Sequence, residues 1–477
     1  MRSVAGRSRS ARPVAGQVRG SDCLKAGGVS TSACGSRGKS AEHIKESARA
    51  NSGRRARVSR RLLAGAILLA TAVALVGNTL WIQHLDCLDM RVFRCYAEAF
   101  WHGAAILHQA STSACSAYLS GPPQQFRSFP PEYPPASLLV MTIPLLLPWI
   151  PYTAAFTALM AAFVATAVSI LVVKGHLGRA ACFAVYTLLA GWSFTLERFD
   201  LLVGLLVLLA LVAANRGHLR IAAAVLAAGA LLKLFPIALL PILLLASRRG
   251  DNPRWRWDVI AVFGAVCVAG LLPQLVLSPS SVTSPVHYEM ARPLQIESLP
   301  GMLLWSTSGV TQGTNALSYA NGGPYAMFSY NSFNVGGGAQ LLWGSLATLA
   351  GLFFLTVAYL RAWLGQDSLG RSFVLVLLVV LMSGKVFSPQ YVLWLLPTVA
   401  LVEGMRLRWL VLSGLIYLIY YYYNTITVGV PFDQVFVSTV TIRNAFLVGI
   451  VLVYAFLPGD LATTAWPTRP LLHYLKD

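Results

Sequence analysis

The chain is poor in charge. Asp, Glu, Lys and Arg make up 12% of its 477 residues, while hydrophobic residues reach 56%; soluble domains carry about 25% charged residues. So few charges cannot cover a water-facing surface of this size, which excludes an array of soluble domains. The same figures exclude a disordered, collagen-like or disulfide-rich secreted chain. Cysteine is sparse, and its seven copies form no CxxC pair and no Cys/His spacing suited to zinc. Internal repeats, a Walker-type loop and a dinucleotide fingerprint are all missing. What is left is an integral membrane protein.

The formal charge of +19 suggests nucleic-acid binding until it is located. Residues 1–61 hold fifteen Lys and Arg against Asp22, Glu42 and Glu46, or +12 of the total. The remainder is nearly neutral, so no nucleic acid is expected among the partners. Residues 1–60 are Arg, Ser, Gly and Ala with almost no apolar periodicity, and read as a disordered basic cytoplasmic tail. An anionic-lipid-binding arm, a transit peptide and an over-long start are the competing readings. No Met stands between Met1 and Met90.

Leu62 to Ile82 is nearly continuous apolar sequence, long enough to cross a bilayer core of about 30 Å. Arg54, Arg55, Arg57, Arg60 and Arg61 precede it and place the N-terminus inside by the positive-inside rule. Further apolar segments follow near 136–150, 152–173, 178–196, 199–214, 219–232, 234–246, 258–277, 339–361, 372–387, 391–404, 408–424 and 439–457. The expected fold is therefore an all-α polytopic membrane protein of about twelve spans over residues 61–460. Outer loops are expected near 84–135 and 278–338, and a cytoplasmic tail at 461–477. Two front-half solutions share one parity. In the preferred one, 136–150 is a re-entrant piece broken by Pro144, Pro148 and Pro151, and Lys233-Leu-Phe-Pro236 is an outer turn between two short helices.

Ionisable groups near an apolar core are costly and normally functional. In the first outer loop Asp86 and Asp89 stand three apart, so on a helix both carboxylates share one face. Such a pair either caps a helix as solvated acids or supplies a general base whose neighbour tunes it. Glu132 sits in Phe129-Pro-Pro-Glu-Tyr-Pro-Pro135. Then come Glu197-Arg198-Phe-Asp200, Lys233, His287-Tyr-Glu289-Met-Ala-Arg292, and Lys385 with Gln390. On this topology all gather at the outer leaflet, where a lipid-phosphate-linked substrate needs cations for phosphate and a carboxylate for an acceptor hydroxyl. For each cation the alternative is an interfacial snorkelling residue. His84, His102 and His108 read as loop residues. Tyr417 and Tyr420 to Tyr423 read as an aromatic belt, with a sugar-stacking platform as the alternative. Among Cys87, Cys95 and Cys115 one disulfide is open. No metal is expected, although Asp86, Asp89 and Glu132 are oxygen ligands of the type a divalent ion takes.

Asp89-x-x-Val92-Phe93-x(9)-Gly103 resembles the D-x-x-V-Y…G stretch of glycosyltransferase family 87. These are polyprenol-phosphate-mannose-dependent mannosyltransferases of the GT-C membrane class. Phe129 to Pro148, with Tyr133-Pro-Pro, resembles that family's F-x-Y-P-P…P-L-x-x-L-P segment. Gly229 to Pro236 resembles its K-x-x-P helix, and Ser388-Pro-Gln-Tyr-Val-Leu-Trp394-Leu-Leu-Pro397 its S-P…W-x-x-P segment. Phe93 stands where the family has Tyr, and Arg198-Phe-Asp200 where it has a Gln-Asn type pair.

The resemblance implies a GT-C-like bundle in a plasma membrane, bacterial in kind, and an enzyme that works outside the cytoplasm. It would move a sugar, mannose first, from a polyprenyl-phosphate donor to a lipid or glycan hydroxyl. The transfer inverts the anomeric centre, uses Asp89 as base (Asp86 being the other candidate) and needs no cofactor beyond the lipid-linked sugar. Lys233, His287, Arg292 and Lys385 are the candidates for the phosphate, with Glu132, Arg198, Asp200 and Gln390 as further substrate-binding candidates. A transporter or lipid flippase is the competing class, because twelve spans also suit secondary carriers. Carriers usually show repeated halves, and this chain shows none.

Overall fold

A computed structural model describes residues 58–59, 61–77, 80, 88–103, 115, 130, 132–192, 194–248, 255–307, 338–426 and 434–458. By contacts the chain divides into Met1–Val58 and Ser59–Asp477, and the helices of the bundle belong to the second unit. Most of the expected tail at 1–60, all of that at 461–477, and Asp86 lie outside the described residues.

The described residues form helices and no strands. Hydrocarbon offers no partner to a backbone N–H or C=O, and a helix satisfies both within one segment. Among the described residues four helices are long and apolar enough to cross a membrane: Tyr152–Lys174, Trp257–Leu277, Gln340–Trp363 and Val435–Phe456. Nine shorter apolar helices of 10–17 residues accompany them, so length alone does not yield the expected twelve spans. Proline explains much of the shortening. Pro144, Pro236, Pro241, Pro389 and Pro397 each sit at the first or second position of a short helix, where the missing N–H costs nothing. They chop the apolar runs into 3-10 and α pieces beside the candidate site.

The helical stretch Tyr152–Gly191 contains 40 residues. Were it straight, residues 156 and 191 would stand about 52 Å apart. Yet the Phe93 ring lies 5.5 Å from Phe156 and 5.4 Å from Phe199. The turns from Gly191 to Phe199, closed by Thr195 N–H to Gly191 O (2.9 Å) and Arg198 N–H to Phe194 O (3.0 Å), bridge little of that distance. The stretch therefore is not one straight rod, and its apolar runs are Tyr152–Lys174 and Leu177–Gly191.

The expected break at Lys233 is present. Lys233 lies in a turn between helix Leu219–Ala230 and the 3-10 turn Phe235–Leu239. Ala136–Leu146 is an 11-residue piece whose start is held at that turn by Ala136 N–H to Leu231 O (3.1 Å). Leu139 and Leu146 on this piece, and Trp149 just beyond it, are exposed, on a segment too short to span by itself.

The two ends of the bundle differ in charge. At one, Arg361 and Arg371 both bond Asp367 and donate to the carbonyls of Tyr454, Ala455 and Leu457, closing the last helix. Arg408 pairs with Glu403 and lies over Tyr454; Arg248 lies over Trp255 and Trp363. These arginines thus share one end. Between the ends, helix Leu369–Ser383 is buried on nearly every face, as an all-round apolar helix requires.

At the other end, Cys95 is bonded to Cys115, with Cα atoms 5.4 Å apart across 20 residues of sequence. This selects one pairing from the three thiols; Cys87 lies outside the described residues. Replacing both cysteines by Ser is expected to cost about 3 kcal/mol through the regained loop entropy. The loss would be read as a lower melting temperature of the purified protein, equal to that of the wild type under reductant. A reductant-insensitive wild type would refute the cross-link.

Candidate active site

Helix Leu88–His102 begins with Asp89 in its first turn, where the helix dipole favours an acid. It ends at Gly103, whose φ of 74° suits glycine alone among ordinary residues. Phe93, on the same helix, is buried and meets Tyr133, Phe156 and Phe199 at ring distances of 6.1, 5.5 and 5.4 Å. The position that carries Tyr in the resembled family is here an apolar wedge that fixes Tyr133 and Phe199.

Two carboxylate–cation pairs stand around this wedge. Asp89 pairs with Arg198, which lies in the turn before helix Asp200–Asn215. Asp200 pairs with Lys233 at 3.0 Å. Each partner of the second pair sits where its helix dipole favours its charge: Asp200 opens its helix, and Lys233 follows the end of Leu219–Ala230. Asp200 Oδ1 also accepts from Trp394 Nε1 at 2.7 Å. That bond needs helix Asp200–Asn215 to touch the 389–394 turn, and Gly204 permits it, since a Cβ there would lie 2.2 Å from Leu393 O.

Aromatic rings enclose the Lys233 ammonium. Tyr391, Tyr133, Trp394 and Phe199 lie 4.9, 5.5, 5.5 and 5.6 Å from Nζ. Trp394 stacks between Phe235 (4.0 Å) and Tyr391 (4.2 Å). Such a cage holds a cation by the ring quadrupoles while leaving its N–H groups available. It also offers flat apolar faces to a sugar or a prenyl chain.

Glu132 lies against Tyr133 in sequence and against Tyr288, Tyr96 and Arg292 in space. Burial raises its carboxyl pKa, with Arg292 and the Tyr288 hydrogen bond pulling the other way. Burial opposes the charge of Arg292, but the surrounding Tyr391, Tyr288, Glu289 and Glu132 outweigh it and push the guanidinium pKa up. Arg198 behaves alike: burial opposes it, and Asp89, Tyr133, Asp200 and Tyr420 prevail.

Of the residues singled out from sequence, Asp89, Glu132, Arg198, Asp200, Lys233 and Arg292 come together. Lys385 does something different. Its ammonium bonds the carbonyls of Met290 (2.9 Å), Arg292 (3.2 Å) and Glu289 (3.5 Å), which saturates its three donors and fixes the loop carrying Arg292. Gln390 is buried and accepts from Ser388, shaping the turn that presents Tyr391. His287 is exposed on helix Ser284–Ala291. Tyr420 turns inward, edge-on to Trp192 and Phe194, rather than joining an outward belt; the side chains of Tyr422 and Tyr423 lie outside the described residues.

Sequence reasoning passed over Arg443 and Asn444, both buried in helix Gln434–Phe456. The signal was there: an Arg inside an apolar span is a site candidate by cost alone. It also passed lightly over Glu297, which is 2% exposed. Burial raises the Glu297 carboxyl from 4.5 to about 7, against the pull of Arg443 and Arg198. A carboxyl pKa raised by folding gives stability that is complete below the unfolded value and lost as pH climbs through the folded one. Wild-type protein should therefore lose roughly 3 kcal/mol between pH 5 and 8, and Glu297→Gln should flatten that slope. Thermal unfolding across the range decides it; an unchanged slope in the variant would place the titrating proton elsewhere.

Carboxylates and cations, with the Lys233 ammonium ringed by aromatic side chains, thus gather at one end of an apolar helical bundle. Residues 132–389, more than half of the chain, match the model of glycosyltransferase family 87, and the chain belongs to that family. No curated protein and no solved structure matches it. The matched span holds Glu132, Arg198, Asp200, Lys233 and Arg292. Asp89 precedes it and is tied to it through Arg198.

Proposed function

We propose that this membrane glycosyltransferase takes its sugar, mannose in the first instance, from a polyprenyl-phosphate donor. It passes the sugar to a hydroxyl of a lipid or glycan acceptor on the extracytoplasmic side. The reading rests above all on one observation: the Asp89–Arg198 and Asp200–Lys233 pairs flank a single aromatic cluster. Asp89, a third exposed at its side chain, takes the proton from the acceptor hydroxyl as that oxygen attacks C1. The C1–O bond to phosphate breaks, and the negative charge left on the prenyl phosphate is met by Lys233, Arg198 and Arg292. No general acid is required, since the prenyl phosphate leaves as a stable monoester anion. Attack opposite the leaving group inverts the anomeric centre.

The sidedness has independent support. The Cys95–Cys115 disulfide lies at the site end, and disulfides persist in oxidising compartments, whereas the arginine clusters lie at the opposite end, as cytoplasmic loops prefer. The test is transfer in membranes from radiolabelled polyprenyl-phosphate mannose, beside other polyprenyl-phosphate sugars and a nucleotide sugar. Label entering a glycolipid from a polyprenyl-phosphate sugar alone is the expected result. Transfer from the nucleotide sugar, or from none, would refute the donor.

A further inference from the structure

Arg443, Asn444, Gln295 and Glu297 form one knot, each at most 2% exposed. Arg443 Nη2 and Asn444 Nδ2 (3.2 Å) both donate to the Glu297 backbone carbonyl. Gln295 Nε2 donates to the Glu297 carboxylate at 3.1 Å. The backbone carbonyl only accepts, which fixes the Asn444 amide with its nitrogen facing Glu297 and its oxygen facing away; towards the ionised Glu297 carboxylate the Gln295 amide is turned the same way. The segment cannot relax, because Gln295 N–H bonds Lys385 O (3.0 Å), Ser298 Oγ bonds Gln295 O (2.7 Å), and a Cβ on Gly301 would lie 2.0 Å from that same carbonyl.

Four groups in this knot lack a partner: Arg443 Nε and Nη1, Asn444 Oδ1 and Gln295 Oε1. Buried polar atoms are nearly always bonded, and so many on neighbouring side chains point to a polar ligand. The guanidinium face is covered by the Phe387 ring at 4.0 Å, so its unused donors point along its edge. Two are donors and two acceptors, which discriminates among ligands. A phosphate accepts only and would leave both amide oxygens bare. An ammonium donates only and would leave the guanidinium bare. A hydroxyl does both. The knot is also near the reaction, since Glu297 feels the charge of Arg198, the partner of Asp89.

We infer that Arg443, Asn444 and Gln295, held by Glu297, form a subsite for sugar hydroxyls. The inference rests on the glycosyl transfer proposed above and assigns the residues that read the sugar, whether it is the one transferred or the one receiving it.

The test uses the full-length chain in lipid nanodiscs with two substrate series. One is polyprenyl-phosphate mannose lacking one hydroxyl at a time, and the other is mannoside acceptors treated likewise. With the wild type, one deletion is expected to lower kcat/KM about 10- to 100-fold, as for a hydrogen bond to a charged group. In Arg443→Lys, which keeps the charge but loses the fork, the intact substrate should fall by a similar factor, mainly through KM. The analogue that hurt the wild type should then fall no further, the signature of a shared contact. Asn444→Ala supplies the same comparison if Arg443→Lys folds poorly, and melting temperatures accompany both. Coupling in the first series assigns the donor sugar and coupling in the second the acceptor; either supports the subsite. Losses that simply add, losses that follow melting temperature with KM unchanged, or a wild type indifferent to every deletion would mean that the knot holds only water, and overturn it. A wild type that transfers while the losses add sinks the subsite alone; one that transfers from no polyprenyl-phosphate sugar sinks the donor reading and the subsite with it.

Discussion

Asp89→Asn is expected to lower kcat about 10²- to 10⁴-fold, the range a positioned general base supplies, with the protein still folded. The side chains are isosteric, but an amide cannot take the acceptor proton. The Asp89–Arg198 pair is partly exposed, with a third of the Asp89 side chain open, and such pairs are worth about 0–1 kcal/mol. Melting temperature should therefore move little. KM for the polyprenyl-phosphate donor should hold or fall slightly, since Arg198 loses its counter-charge and is left to the phosphate. A variant that keeps a tenth or more of the wild-type rate would remove Asp89 from the chemistry. Asp86→Asn is the parallel measurement, because Asp86 is the other acid of the same loop.

Lys233→Met should do two things at once, and separating them is the purpose of the experiment. The Asp200 side chain is only 3% exposed, and removing the cation beside a buried carboxylate costs about 3–5 kcal/mol. The variant should melt well below the wild type. It should also lose transfer by 100-fold or more, as expected when the ammonium that meets a leaving phosphate is gone. Adding Asp200→Asn should restore the melting temperature, because the amide still accepts from Trp394 Nε1 and carries no charge to strand. Transfer should stay lost in the double variant. Recovery of both stability and activity would make Lys233 a purely structural counter-ion.

The membrane class was legible because it depends on composition and local runs of apolar residues, which need no tertiary context. The turn at Lys233 was legible for a related reason, as Pro236 and the lysine break an apolar run where no helix could continue. Asp89 and Lys233 stood out because an ionisable group beside a span is costly. Arg443 is of the same kind and was masked by the apolar helix around it. Trp394 and Tyr391 were visible only as pieces of an S-P…W-x-x-P segment, without a hint that they stack over the Lys233 ammonium.

By itself the sequence determined that this protein is helical and lies in a membrane. Those properties follow from burial and charge costs that each segment meets separately. The tertiary structure alone decided which charges meet. Asp89 faces Arg198, Asp200 faces Lys233, and Glu297 anchors Arg443, because Coulomb and hydrogen-bond energies act over a few ångströms between residues far apart in the chain. Those distances are set by close approaches such as that of Gly204 to Leu393, which no local pattern of apolar and polar residues encodes.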